Sequence, residues 1–197
     1  MQDSQPFEEQ EKEKKGRFQS SFYDWGEALI ASLIFIVVLF TFFVRLIGVD
    51  GSSMFPTLHD RDVMAVSDLG YTPARGDIVV LNKESFGEAT GMKGPIVKRI
   101  IATAGDEVDI DFALGRVYVN GEELHEDYIN SFELPMLEGD VSFPQTVPDG
   151  SLFVMGDNRN GSTDSRDSRL GMVDERYVIG HVLAVVWPFE NFGGKTA

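Results

Sequence analysis

Hydrophobic positions follow two different patterns along the chain, and the pattern changes near residue 48. Residues 28–44 form an uncharged apolar run, ALIASLIFIVVLFTFFV. Continued to Val49 past Arg45, whose charge can extend to the interface, the run reaches the roughly 20 residues of a membrane-spanning helix. We predict a transmembrane helix over residues 25–48. A core helix would need protein on every side, and a cleaved signal peptide would end in a small-residue site, which RLIGVDG does not provide.

The charges that flank this run predict its orientation. Arg45 follows it closely, whereas a cluster of basic residues precedes it: Lys12, Lys14, Lys15 and Arg17. Basic flanks stay on the cytoplasmic side of a membrane. We therefore expect a polar, disordered cytoplasmic tail over residues 1–24, a single pass through the cell membrane, and an extracytoplasmic domain over residues 49–197.

Beyond residue 50 the pattern is typical of β-strands. Short segments rich in Val, Ile, Tyr and Phe are separated by Gly, Pro, Asn and Asp. They are DIVVLN (77–82), PIVKRIIAT (95–103), RVYVNG (116–121), SLFVMGD (151–157) and YVIGHVLAVVW (177–187). Asn120-Gly121 is a strong hairpin-turn signal, and no convincing amphipathic helix follows residue 50. We predict a mainly β fold of antiparallel strands around one core.

Composition narrows the possible functions. The 197 residues carry a formal charge of −15 and include no cysteine. A chain this acidic is poorly suited to bind nucleic acid or anionic lipid through its bulk, since phosphate contacts need clustered Lys and Arg. Without cysteine there is no disulfide, no thiol nucleophile and no cysteine-ligated zinc site. We expect no cofactor, no metal and no nucleic-acid partner.

Several candidate functional residues stand without a recognisable motif. The three histidines, His59, His125 and His181, are expected at surface or interface positions. Two of them, His59 and His125, could alternatively act as the base of a serine hydrolase. Asp109 and Asp111 alternate with apolar residues and favour a solvated strand face. Asn160-Gly-Ser162 matches a glycosylation acceptor, and GGKT near the C-terminus lacks the earlier glycine of a phosphate loop.

One lysine occupies an unusual position. In PIVKRIIAT, strand alternation places Lys98 on the same face as Ile96 and Ile100. If that face is buried, the neutral amine is favoured, and a neutral lysine can take the proton of a serine hydroxyl. The alternative is an edge strand whose Lys98 side chain extends to water, and this segment alone favours that alternative.

Four segments together resemble a known family. In chain order they are GSSMFPTL (51–58), RGDIVVL (75–81), VKRIIATAGDEV (97–108) and GDNRNGSTDSR (156–166). Each is weak alone, but their order after an apolar N-terminal run resembles the type I signal peptidases, the bacterial leader peptidases. The resemblance implies an antiparallel β-sheet ectodomain of the signal peptidase type, with a small secondary β lobe over residues 107–146.

By this resemblance Ser53 is the nucleophile, Lys98 is the general base, and Ser162 supplies a second hydroxyl that orients the lysine. The nucleophile loop that holds the oxyanion comprises Gly51, Ser52 and Ser53. Asp164 and Arg166 match a supporting ion pair, and Arg99 and Asp157 are expected to brace the site. Candidates for shallow substrate pockets are Val49, Met54, Leu58, Ile96 and Val97.

The resemblance also implies an activity and its partners. The family removes signal peptides from exported preproteins by cleaving after small residues, so signal peptides and the lipid bilayer are the expected partners. Some members have a serine or threonine where this chain has Gly51, and shorter members have glycine, so the resemblance implies that the backbone N–H of Ser53 carries more of the oxyanion stabilisation here. The alternatives are a dedicated peptidase such as one for pilus assembly, an inactive scaffold or binding ectodomain of the same fold, and the cytoplasmic SOS-repressor type of Ser-Lys autoprotease.

Overall fold

The computed structural model describes residues 24–38, 40, 43–82, 94–129 and 135–193. The chain divides into two units, Met1–Phe43 and Val44–Ala197. In the first unit, residues 24–38 are helical and their side chains are exposed. The predicted cytoplasmic tail lies outside the described residues except for its last position. Among the residues described, no helix combines the length and apolar character needed to cross a membrane.

The predicted helix over residues 25–48 is wrong at its C-terminal end. Arg45–Gly48 forms a strand, β1, which pairs antiparallel with Val63–Ser67, β2. The pairing runs from Arg45 opposite Val66 to Gly48 opposite Val63. The four residues RLIG are too few for their pattern to separate a strand from a helix, and the pairing with β2 decides between them.

The second unit is built on antiparallel strands in two sheets, which confirms the predicted mainly β fold. The larger sheet has the order β1-β2-β11-β3-β4-β9-β10. After β1 and β2, its strands are β3 (Ile78–Leu81), β4 (Ile96–Thr103), β9 (Ser151–Met155), β10 (Val173–Asp174) and β11 (Val178–Trp187). Each of the five strand segments predicted from the sequence contains one of the described strands.

The smaller sheet has the order β7-β6-β5-β8. Its strands are β5 (Glu107–Asp111), β6 (Arg116–Val119), β7 (Glu122–Glu123) and β8 (Gln145–Thr146). Asn120 and Gly121 join β6 to β7 with positive φ angles of 54° and 80°, as the hairpin signal predicts. This sheet lies within the segment predicted as a small secondary lobe.

Three clusters of buried hydrophobic side chains form the core. One includes residues of β3, β4 and β9, such as Val79, Ile100 and Val154. A second joins the smaller sheet to β4 and β9, and a third lies under the β1–β2 loop. In the described part beyond residue 50, the helical segments are two 3-10 turns, Glu175–Tyr177 and Phe189–Asn191. Strand β4 therefore contributes to two clusters and lies at the centre of the fold.

Candidate active site

The loop between β1 and β2 carries the two adjacent serines. Its ends are closed where Val49 N donates to Asp62 O over 2.7 Å. Within it, Leu58 N donates to Met54 O over 2.9 Å, and both side chains are buried in the core. The apolar residues of GSSMFPTL therefore anchor the loop and fix the position of Ser53, which directly precedes Met54.

Gly51 has a backbone conformation that favours glycine. Its φ is +94°, in the left-handed region where a side chain is strained. Its N–H donates to Asp60 Oδ1 over 2.9 Å. The backbone conformation of this loop therefore explains why position 51 is a glycine.

Lys98 lies in β4 with its side chain buried beside Ser53. Its Nζ is 2.9 Å from Ser53 Oγ and also donates to Val97 O over 3.1 Å. The residue is 3% exposed, and Ile96 and Ile100 on either side share one core cluster. The buried-face interpretation of PIVKRIIAT is therefore correct, and the exposed-edge interpretation is wrong.

Burial changes the chemistry of this amine. The pKa of Lys98 falls to about 8, chiefly because burial removes the ammonium from water. The carboxylates of Asp164 and Asp157 oppose that shift, and the guanidinium of Arg166 adds to it. At pH 7 about one such lysine in ten is neutral, against about one in a thousand or fewer for an unperturbed lysine.

Ser162 and Ser53 both approach Gly156. A Cβ built on Gly156 would lie 2.4 Å from Ser162 Oγ and 2.4 Å from Ser53 O, so the α carbon fits there because it carries no side chain. Ser162 Oγ is buried and has no hydrogen-bond partner among the described residues. The hydrogen bond to Lys98 that the resemblance implies is therefore not formed.

Arg99 and Asp157 form a buried bidentate ion pair. Arg99 Nε donates to Asp157 Oδ1 over 2.9 Å and Nη2 to Oδ2 over 2.8 Å. Arg99 Nη1 also donates to Gly76 O over 2.7 Å, and Thr57 Oγ1 donates to Asp157 Oδ2. Since Thr57 belongs to the serine loop, this pair connects β4, the end of β9 and that loop.

Asp164 and Arg166 form a second buried ion pair. Arg166 Nε donates to Asp164 Oδ1 over 2.7 Å, and Nη2 donates to Oδ2 over 2.8 Å. Asp164 Oδ2 also accepts from Gly156 N over 3.0 Å. The pair thus holds the backbone at the residue that both serines approach.

Sequence reasoning missed the role of Asn158 at this site. Its backbone N–H donates to Ser53 O over 3.0 Å, and its Nδ2 donates to Ser52 O over 3.1 Å. These bonds fix the carbonyls of both adjacent serines. Its place in GDNRNGSTDSR, directly after Asp157, was the signal that could have identified it.

Comparisons with known proteins identify the family of this chain. Residues 22–187 match the family described as signal peptidase, peptidase S26. The chain belongs to this family. The serine endopeptidase predicted from the sequence is thereby confirmed, and the non-catalytic alternatives are not favoured.

Curated members of the signal peptidase family match over most of their length. Signal peptidase I of Bacillus amyloliquefaciens is 34% identical over 184 residues, covering 89% of this chain and 90% of the relative. Signal peptidase I T of Bacillus subtilis (strain 168) is 34% identical, covering 87% and 89%. A crystal structure of a signal peptidase I from Enterococcus faecalis is 29% identical, with a TM-score of 0.43, covering 56% of this chain and 97% of that one.

The predicted pocket residues of this signal peptidase fall into two places. Val49, Met54 and Leu58 are buried in the cluster under the serine loop, and Val97 packs partly buried against it. Ile96 belongs to the other cluster, with residues of β3 and β9. Four of the five therefore share the cluster under the serine loop, and Ile96 packs in the neighbouring cluster.

The remaining candidates lie apart from the Ser53–Lys98 contact. His59 Nδ1 is 3.8 Å from Asp62 Oδ2, the His181 ring stacks on Tyr71 at 4.2 Å, and His125 is exposed. Asp109 is exposed and Asp111 is partly exposed, as expected of a solvated strand face. The Asn160 side-chain amide is hydrogen-bonded to the backbone of Leu137 and Pro135. The GGKT segment lies outside the described residues except for Gly193. In the described ranges no three or more acidic or histidine side chains are grouped to hold a metal ion.

A second set of residues that sequence reasoning missed comes from the segment after β7. Glu126 and Arg159 form an ion pair whose side chains are each 5% exposed. Tyr128 lies with its ring 3.9 Å from the Arg99 guanidinium carbon. No sequence signal pointed to Glu126 or Tyr128, since residues 110–148 carry none of the four motifs.

Proposed function

We propose that this chain is a membrane-anchored endopeptidase that removes signal peptides from exported preproteins, with Ser53 as nucleophile and Lys98 as general base. The observation that carries the assignment is the 2.9 Å separation of Lys98 Nζ and Ser53 Oγ in a buried site. Family membership over residues 22–187 supports the same conclusion. No contact in the described residues favours a peptidase dedicated to another client.

Acylation needs a base that is neutral before the serine reacts. Neutral Lys98 takes the proton of Ser53 Oγ while Oγ attacks the carbonyl carbon of the scissile bond. The tetrahedral intermediate collapses when Lys98 returns that proton to the leaving amine nitrogen. The mature protein departs with a free N-terminus, and the signal peptide remains as an ester on Ser53.

Deacylation uses the same base. Lys98 takes a proton from water as the water oxygen adds to the ester carbonyl, and then returns it to the departing Ser53 oxygen. In both steps the backbone N–H of Ser53, together with Ser52 in the same loop, holds the oxyanion, since the Gly51 N–H already donates to Asp60 Oδ1. Because Gly51 has no hydroxyl, the N–H of Ser53 carries more of that stabilisation.

Supporting roles follow from the two buried ion pairs and the second serine. One ion pair, Arg99–Asp157, and a second, Asp164–Arg166, hold the end of β9 in place. Through Thr57 the first pair also holds the serine loop, residues 49–62. Ser162 orients Lys98 once a bound substrate orders the site, since its Oγ is buried with its hydrogen-bonding capacity unused.

We propose that the specificity for small substrate residues next to the scissile bond arises because larger side chains do not fit. Val49, Met54, Leu58 and Val97 belong to the cluster under the serine loop, and Ile96 packs in the neighbouring cluster of β3, β4 and β9. Shallow apolar pockets formed by such residues reject larger side chains by overlap. The same apolar side chains exclude water from Lys98, so the residues that set substrate specificity also favour the neutral form of the base.

The apolar N-terminal run is proposed as a single membrane anchor with a cytoplasmic N-terminus and the catalytic domain on the extracytoplasmic face. Exposed apolar side chains in the helical residues 24–38 support this, with Leu29 67% and Phe35 66% exposed. Protease digestion of intact spheroplasts tests it, because the proposed orientation makes residues 49–197 accessible from outside.

Cleavage of a preprotein with an Ala-x-Ala site tests the function. Wild-type full chain in detergent should cut after the second alanine, as located by mass spectrometry of both products. Ser53→Ala should lose cleavage, and the exposed Ser142→Ala should retain it as a matched control. An inert wild type on several such substrates, or an active Ser53→Ala, would contradict the proposal.

A further inference from the structure

In residues 125–128, directly after β7, every second side chain contacts an arginine of the active-site region. His125 and Asp127 are exposed, whereas Glu126 and Tyr128 are partly buried. Burial raises the pKa of the Tyr128 hydroxyl, and the Glu126 carboxylate adds to that effect. The Tyr128 hydroxyl therefore stays protonated and donates to Glu126 Oε1 over 2.9 Å.

Tyr128 covers one face of the Arg99 guanidinium. Its ring centroid lies 3.9 Å from Arg99 Cζ, within the range in which an aromatic face attracts a cation. The edges of the same guanidinium are bonded to Asp157 and to Gly76 O. Since Asp157 also acts electrostatically on Lys98, the ring limits movement of a guanidinium that is linked to the proposed base through that carboxylate.

Glu126 reaches the same site through a different arginine. Arg159 Nη1 donates to Glu126 Oε2 over 3.0 Å, and Nη2 donates to Oε1. Arg159 Nε donates to Gly156 O over 3.0 Å. Gly156 is the residue that Ser53 O and Ser162 Oγ approach. Through Arg159, Glu126 thus fixes the backbone of Gly156, which Ser53 and Ser162 both approach closely.

We propose that Glu126 and Tyr128 are positioning residues for the peptidase reaction, which hold the Ser53–Lys98 pair in register by fixing Arg159 and Arg99. The proposal rests on the proposed function. The two contacts act together because the Tyr128 hydroxyl is bonded to the Glu126 carboxylate. The segment between the motifs thereby takes part in the active site without touching substrate.

A positioning role has an electrostatic consequence that a purely structural role lacks. The charged groups around Lys98 are Asp164, Asp157 and Arg166, together with Arg99, which pairs with Asp157. If Arg99 moves away from Asp157, that carboxylate is less neutralised and stabilises the Lys98 ammonium more strongly. Loosening the Tyr128 contact should therefore raise the pKa of Lys98 and reduce the neutral fraction.

The experiment compares Tyr128→Leu, Tyr128→Phe and Glu126→Gln with wild-type full chain in detergent. Tyr128→Leu should lower kcat by about tenfold with KM within about twofold, because the contact acts on geometry and not on substrate binding. Tyr128→Phe keeps the ring over Arg99 and should restore most of the loss. Glu126→Gln should lower kcat to a similar extent as Tyr128→Leu. Glu123→Gln, in an exposed ion pair with Arg116, is the control and should behave as wild type.

A second readout separates this proposal from the function itself. Titration of the Lys98 side chain by NMR with isotope-labelled lysine, assigned by its absence in Lys98→Met, needs no substrate. A higher pKa in Tyr128→Leu than in wild type and Tyr128→Phe supports positioning even if the preprotein is not cut. An unchanged Lys98 pKa in Tyr128→Leu overturns the proposal, as does a kcat equal to wild type, whether or not thermal unfolding shifts.

Discussion

Replacing Gly156 by alanine probes the point where Ser53 and Ser162 meet. The added Cβ would lie 2.4 Å from Ser162 Oγ and from Ser53 O, whereas ordinary contacts of a Cβ begin at 3.4 Å. The neighbours must therefore move by about 1 Å. Ser53 O belongs to the backbone and is bonded to Asn158 N, so the displacement cannot be absorbed by a flexible side chain.

The expected magnitude follows from that displacement. A misplacement of about 1 Å in a reacting group can cost about 100-fold in rate. We predict that Gly156→Ala lowers kcat/KM by about 100-fold. Overpacking of this kind should also cost roughly 1–3 kcal/mol in the free energy of unfolding.

The assay is cleavage of an Ala-x-Ala preprotein, with thermal unfolding of the same samples. Gly48→Ala is the matched control, since a Cβ there meets nothing within 4 Å. The control should cleave as wild type. A Gly156→Ala protein that cleaves within about threefold of wild type would refute the reasoning, because the close approach would then have no bearing on the rate.

Three further predictions concern charge. Because neutral Lys98 is the proposed base and its pKa is lowered to about 8, kcat/KM should rise with pH through about 8 and level off above it; a rise centred near the ordinary lysine value would contradict this. Asp164→Asn leaves the buried Arg166 guanidinium without its carboxylate and should cost about 3–5 kcal/mol in denaturant unfolding. The same change removes a carboxylate that raises the Lys98 pKa, so the pH profile of any folded Asp164→Asn enzyme should move to lower pH. Arg176→Ala, in an exposed pair with Asp174, should leave the melting temperature unchanged, and a clear drop would contradict the weak role of exposed pairs.

Local pattern was sufficient to predict five of the eleven strands in the described residues, and the hairpin turn. Short segments rich in Val, Ile, Tyr and Phe and bounded by turn residues predicted β3, β4, β6, β9 and β11, and Asn120-Gly121 predicted the turn between β6 and β7. The pattern failed at Arg45–Gly48, because a four-residue segment next to a longer apolar run is too short for a periodicity that separates strand from helix. Pairing with β2, which is decided by distant residues, fixed that segment.

The active site was harder to predict, because it depends on contacts between residues that are far apart in the sequence. The alternation in β4 placed Lys98 with Ile96 and Ile100, but its burial depends on what covers the strand. The partner of Arg99 lies 58 positions away at Asp157, and spacing alone cannot select it. Tyr128 lies outside every motif, so its position over Arg99 could come only from the fold.

The most direct measurement of the central claim is a double-mutant comparison of kcat/KM for Ser53→Ala, Lys98→Ala and the double variant on one preprotein. If the two residues react as a unit, each single variant should lose orders of magnitude and the double variant should lose no more than either single one. Losses that multiply in the double variant, or a Lys98→Ala enzyme that cleaves at the wild-type rate, would contradict the account.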